Sequence, residues 1–127
     1  MASFAKPRFT KSLKAAGDLD DKQFYYVGDN GSDEYAVAGH ANGAIGGGFL
    51  MNKPLEGEFC EVASIGGGAL GVAGEAVSGP NLELKAIADG TLNIADTAGD
   101  VVCAISKESA ATSDVFEVEP VLYRKHA

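Results

Sequence analysis

A chain of 127 residues, 46% of them hydrophobic and 17 of them glycine, has room for one core and one domain. No run of about eighteen apolar residues occurs, and the N-terminus MASFAKPRFTKSLK lacks the apolar stretch of a signal peptide. Membrane-spanning and secreted classes are therefore not expected, and the formal net charge of −8 predicts a protein that stays soluble where it is made.

The charge is unevenly spread. Lys6, Arg8, Lys11 and Lys14 lie in the first fourteen residues with no acid among them, a local charge of +4. From Asp18 to Leu122 eighteen acids face only Lys22, Lys53, Lys85 and Lys107, a charge of −14, and Arg124 with Lys125 follow. A basic arm over residues 1–22 thus precedes an acidic β domain over 23–127. Phe4, Phe9 and Leu13 alternate with the cations of the arm. Nucleic acid would be repelled by the acidic body, and a merely solvated terminus is the plainer alternative. The favoured reading is an arm that docks on another protein, with the three apolar side chains as anchors and the cations as steering charges.

The body reads as short strands. QFYYV (Gln23 to Val27) is aromatic and β-prone, and GDNGSDE after it is dense in turn formers. EYAVAG makes a brief strand. HANGAIGGGFLM leads from a glycine-rich turn into Phe49, Leu50 and Met51, and Pro54 and Gly57 then break the run. GEFCEVASI alternates, with Phe59, Glu61 and Ala63 on one face and Cys60, Val62 and Ser64 on the other. NLELKAI sets Leu82, Leu84 and Ala86 against Glu83 and Lys85. TLNIADTAGDVVCAI supplies a small strand, a turn near Asp96 to Asp100 and an apolar strand. DVFEVEPVLYR places Phe116, Val118, Pro120 and Leu122 on one face, and Pro120, which cannot donate to a ladder, predicts that this strand reaches an edge. About eight strands at intervals near ten residues predict an all-β fold, a small single-domain barrel or sandwich with an extended N-terminal arm. FLMNKPLEGEFCEV and CAISKESAATSDVFEV echo one another faintly, so two related β units are possible.

IGGGALGVAG carries Gly66, Gly68 and Gly71 in the spacing G-x-G-x-x-G, with Asp89 near the place of a ribose-binding acid. The nucleotide reading fails on its helix. Only about nine residues precede SGPN, and Gly71 and Gly74 would each cost a helix interior about 1 kcal/mol relative to alanine. The glycines are read instead as a sharp turn, with Ala69 to Ala73 as a small-residue strand. No G-K-[ST] follows any glycine run. His40 and His126 belong to a loop and a chain end, so no triad is supported. Asp20-Asp21, Asp33-Glu34 and Glu56-Glu58 lack EF-hand spacing and read as solvated acidic loops. Cys60 and Cys103 sit inside strands, where buried free thiols are the favoured reading and a disulfide the alternative. No zinc pattern exists, and no metal, cofactor or catalytic residue is expected.

From Ala44 to Val121, about 60% of the chain, the texture resembles the head-decoration, or capsid cement, proteins of tailed bacteriophages. The resemblance rests on Gly46 to Leu50, Pro54 to Gly57, Glu61-Val62, Gly66 to Gly68, Asp89-Gly90 and Ala98 to Asp100. It implies a non-enzymatic virion protein, made in the bacterial host cytoplasm, that sits outside the expanded capsid. There it would bridge major capsid protein subunits, commonly as a homotrimer, with its N-terminal arm adding a strand to the capsid. The arm residues Phe4, Lys6, Arg8, Phe9, Lys11, Leu13 and Lys14 are the candidate capsid-binding set. Two alternatives remain: a small β-barrel module that binds a ligand or peptide with the 28–48 loop as its mouth, and a nucleotide-binding enzyme.

Overall fold

In the computed structural model the described residues are 8–9, 13–30, 32, 34–37 and 47–126, with backbone alone for 8, 9 and 37. They form eleven strands and no helix. The strands are β1 (Arg8–Phe9), β2 (Lys14–Ala15), β3 (Tyr26–Asp29), β4 (Glu34–Val37), β5 (Gly48–Leu50), β6 (Val62–Ser64), β7 (Ala69–Val72), β8 (Glu83–Ala86), β9 (Leu92–Ile94), β10 (Val101–Ser106) and β11 (Val115–Arg124). Two sheets result, ordered β1-β6-β5-β3-β4-β2 and β7-β11-β10-β8-β9. The fold is all-β and small, as the spacing of turn residues predicts.

The first sheet curls until its ends meet. β1 pairs antiparallel with β6 (Arg8↔Ser64, Phe9↔Ala63), and Lys14 bridges Phe59 just before β6. On its other side β2 runs parallel to β4 through Ala15↔Tyr35. Ala15 therefore sits between two neighbours. Its N–H donates to Glu58 O (2.8 Å), its carbonyl accepts from Gly57 N–H (3.0 Å), and the next N–H, of Ala16, donates to Tyr35 O (2.9 Å). Inside the curl lie Ala15, Leu19, Val27, Tyr35, Leu50, Cys60 and Val62, with Leu13 packed at the margin.

The second sheet repeats this pattern almost bond for bond, 56 to 58 residues later. The β3/β4 pairs Val27↔Val37, Gly28↔Ala36 and Asp29↔Tyr35 have as counterparts Leu84↔Ile94, Lys85↔Asn93 and Ala86↔Leu92 in β8/β9. Leu50↔Val62 in β5/β6 corresponds to Ser106↔Val118 in β10/β11. Lys14↔Phe59 corresponds to Val72↔Val115, and the parallel pair Ala15↔Tyr35 to the parallel bridge Ala73↔Leu92. Left-handed residues recur in step, Phe24 (φ 74°) with Asn81 (φ 66°) and Gly57 (φ 81°) with Ser113 (φ 73°). So do side-chain caps: Leu55 N–H donates to Glu58 Oε1, and Ala111 N–H to Asp114 Oδ2. The faint sequence echo thus marks two like hairpins, β5/β6 and β10/β11, within two like units.

Packing explains how two dissimilar sequences fill the same shape. The counterparts of the first interior are Ala73, Val77, Leu84, Leu92, Ser106, Phe116 and Val118, all buried. Tyr35 and Cys60 in one unit stand where Leu92 and Phe116 stand in the other. A large and a small side chain have traded places, which conserves volume, the condition under which cores tolerate substitution. The units then share a core, where Tyr26, Phe49 and Ala63 pack with the buried side chains of the second sheet. Tyr26 meets Phe49 edge to face at 5.2 Å.

Several expectations need correction. The first predicted strand begins at Tyr26 rather than Gln23, because Tyr25 N–H closes a turn onto Lys22 O and Phe24 is left-handed. The 28–48 stretch is not a single loop, since β4 lies within it. β11 pairs with β7 over Val115 to Val118 and with β10 from Val118 to Arg124, so Pro120 falls where β10 alone remains, at an edge as expected. Leu122 is exposed, because the register shifts between Val102↔Tyr123 and Ala104↔Pro120 and the extra residue on β11 breaks the alternation. The glycine run before Phe49 serves close approach: a Cβ on Gly48 would stand 2.1 Å from Ala63 O. Within the stretch assigned to the arm, residues 8–9 and 13–22 run against the first sheet, with Ala15 and Leu19 buried.

Truncation tests this placement. Removing residues 1–16 takes away the closing strand, and cooperative thermal unfolding followed by circular dichroism is expected to disappear. Removing residues 1–7 alone is expected to leave Tm within about 4 °C of the full chain, equivalent to roughly 1 kcal/mol or less.

Candidate functional site

Of the candidate docking residues, Phe4, Lys6 and Lys11 lie outside the described residues. The backbone of Arg8 and Phe9 is paired with Ser64 and Ala63. Leu13 is half-buried against the first interior, and its carbonyl accepts from Cys60 N–H. Lys14 is exposed, with its ammonium 5.5 Å from the centroid of the Phe59 ring, a cation–π contact. Phe59 itself is 58% exposed. The structure thus joins Lys14 to an aromatic that the sequence reading treated only as a strand residue. The signal for it was present: Phe59 alternates with the exposed Glu61, while Cys60 and Val62 take the inner face. Val115, the counterpart of Phe59 in the second unit, is likewise half exposed.

Between the two sheets lies a cleft of about 140 Å³. Tyr26, Gly47, Gly48, Ser64 and Ile65 line it from the first unit, and Cys103, Pro120, Val121 and Leu122 from the second. Six of these form three pairs of counterparts across the repeat: Gly47 with Cys103, Ser64 with Pro120, and Ile65 with Val121. Ile65 and Leu122 form an exposed apolar lip. The walls are nearly all carbon, and the titratable groups at its floor are held neutral. Burial pushes the Tyr26 hydroxyl up and raises the Cys103 thiol to about 12.

The G-x-G-x-x-G stretch is a turn and a strand. Gly66 has φ 101°, a conformation side chains avoid, and makes the turn after β6. Gly71 lies inside β7, paired with Phe116. No helix N-terminus is there to receive a phosphate, so the dinucleotide fingerprint does not apply. Asp89 is a turn residue: it accepts from the Thr91 hydroxyl (2.6 Å) and the Thr91 N–H (3.0 Å), and the hydroxyl bond foremost holds its carboxyl below the usual range.

The most organised polar group lies beside the far end of β11. Glu83 accepts from both Lys125 and the Tyr123 hydroxyl, while Lys85 pairs with Asp100 at 3.2 Å. The Lys125 bond, then the Tyr123 bond, keeps the Glu83 carboxyl low, and the same contact lifts Tyr123 to about 12. These bonds tie β8 to the chain end after β11. Among the described residues no group of three or more His, Cys, Asp or Glu is placed to hold a metal ion. His126 is exposed, and His40 lies outside the described residues. The two cysteines are free and buried, Cys60 inside the first unit and Cys103 in the shared core. No protein-family model matches the chain, and no curated protein matches it.

Two measurements follow. Burial raises Cys60 to about 11 and Cys103 to about 12, so neither thiol is expected to react with an aromatic disulfide reagent at pH 8 in the folded protein, and both react once it is denatured. Glu83 has a depressed folded pKa, so its stabilising contribution is present above the unfolded value of about 4.3 and is lost as pH falls through the folded one. Glu83→Gln is expected to flatten that part of the acid-unfolding curve between pH 6 and pH 3, measured by chemical denaturation at each pH.

Proposed function

We propose that this protein is a capsid cement protein of the tailed-bacteriophage type, binding outside a phage head and bridging neighbouring major capsid subunits. The observation that carries the reading is the repeat. Two like β units in one chain supply two similarly built heads at a fixed separation, which suits a body that must touch two adjacent copies of one lattice subunit. The cationic N-terminus supplies a third element. Phe4 and Lys6 are its proposed contacts, and Lys14 with the exposed Phe59 offers a cationic and aromatic contact on the first unit.

Cementing requires no bond chemistry. Modest contacts repeated over a lattice add through multivalency, and an acidic body limits adhesion to free DNA. Self-association into a homotrimer belongs to the same reading, as do the outer capsid surface as location and the absence of an enzymatic role. A ligand- or peptide-binding module is the second reading, favoured by the inter-sheet cleft. That cleft is small beside the roughly 300–1,000 Å³ of typical ligand pockets.

Sedimentation with expanded capsids that lack the protein tests the proposal. The full chain is expected to pellet in fixed stoichiometry with the major capsid subunit, and the chain lacking residues 1–7 to bind at least about tenfold more weakly while remaining folded. A full chain left in the supernatant at every concentration would overturn it.

A further inference from the structure

We propose that the outer edge of β11 beyond Val118 is a self-association surface, along which a second copy of this chain lays its own β11 antiparallel to the first. This pairing is a property of the free chain and goes beyond the cement reading.

The edge is open. β11 runs for ten residues, yet β7 pairs with it only from Val115 to Val118, and from Glu119 onward β10 is its one neighbouring strand among the described residues. An uncovered strand edge offers N–H and C=O groups to any chain that can pair with them. The repeat shows what such an edge holds when it is covered. Ala63 and Ser64, the counterparts of Glu119 and Pro120, have β5 on one side and Phe9 and Arg8 of β1 on the other. No described strand takes the place of β1 beside β11.

The side chains along it are exposed and apolar at the middle. Glu119, Leu122, Tyr123 and Arg124 are exposed and Val121 is half-buried. Leu122 and Tyr123 are each 40% exposed. Two large apolar residues on an open edge are what a pairing strand would cover. Pro120 has no N–H to give, and the extra residue of β11 between Pro120 and Tyr123 interrupts the ladder. Together they confine new pairing to the last few residues of the strand.

Charge selects the occupant. The strand is acidic toward its start, at Glu117 and Glu119, and the chain is basic at its end, at Arg124 and Lys125. Lys107 stands 3.4 Å from Glu119, with both side chains about half exposed, and Lys125 is held by Glu83. Arg124 donates to Gly99 O (3.1 Å) and meets no carboxylate among the described residues. A strand charged in this way is complementary to itself when turned end for end. Antiparallel pairing sets the Glu119 end of each copy beside the Arg124 end of the other, twice about one twofold axis, with Leu122 and Tyr123 near that axis. Parallel pairing would set like charges side by side. The twofold arrangement also closes, because each chain has one such edge and uses it once, so the product is a dimer and not a fibre.

Sedimentation velocity of the full chain over a roughly hundredfold concentration range is expected to show a monomer–dimer equilibrium. Arg124→Glu sets acid beside acid across the axis and is expected to weaken the dimer at least about tenfold. Adding Glu119→Arg to that variant exchanges the two charges and is expected to restore it. Leu122→Lys, a cation on the open edge, is expected to weaken the dimer too, and the circular dichroism spectrum of every variant to match that of the parent chain. A chain that stays monomeric over the whole range, or that associates as a trimer, would overturn the proposal. A dimer indifferent to Arg124→Glu and Leu122→Lys pairs through another face and overturns it as well, and so does a loss that the charge exchange fails to rescue. No capsid enters these measurements, so the cement proposal keeps its own sedimentation test.

Discussion

Each unit of this protein closes at one alanine. Ala15 in β2 and Ala73 just after β7 are buried, and the N–H and C=O of each bond to the returning hairpin: Ala15 to Glu58 and Gly57, Ala73 to Asp114 and Ser113. The residue after each, Ala16 or Gly74, turns its N–H the other way, to Tyr35 or Leu92. A strand gripped from two sides at so tight a crossing leaves little room for a larger side chain. At about 1 kcal/mol for each such bond, these few contacts hold together sheets whose individual strands are mostly three or four residues long. The left-handed residues and capped turns recur because both hairpins must return to this same crossing.

That constraint changes what the N-terminal residues mean. In the second unit the closing strand is internal, continuous with β6 through the Gly66 turn. In the first it is supplied by residues near the start of the chain: Arg8 and Phe9 pair with β6, Lys14 bridges Phe59, and Leu13 packs against the interior. Val72 and Ala73 occupy the same place in the second unit that Lys14 and Ala15 occupy in the first.

Much of the architecture was legible in the sequence, because alternation and turn chemistry are local. The inward faces of Leu84 and Ala86, and of Phe116 and Val118, follow from period two, as does the burial of Cys60 and Val62. What was not legible depends on partners far along the chain. The bulge that exposes Leu122 arises from mismatch with β10. The left-handed Phe24 carries no glycine to announce it, and its N–H is held by Leu50 O. The repeat itself was only a faint echo, since interior identity survives at Ala15/Ala73 and Val62/Val118 while Tyr35/Leu92 and Cys60/Phe116 exchange bulk. The Lys14–Phe59 contact required knowing that residues 13–15 lie against 58–60, a pairing across more than forty residues.

The central claim is that this duplicated β body sits outside a phage head and spans two lattice subunits, with the residues ahead of Arg8 reaching onto one of them. Electron cryomicroscopy of expanded particles decorated with the protein tests it directly. The account predicts density for both units on the outer surface, one over each of two adjacent major capsid subunits, with residues 1–7 continuing onto the capsid from the Ser64 side of the first unit. Undecorated particles, or a body that touches a single subunit and keeps residues 1–7 away from the lattice, would contradict it.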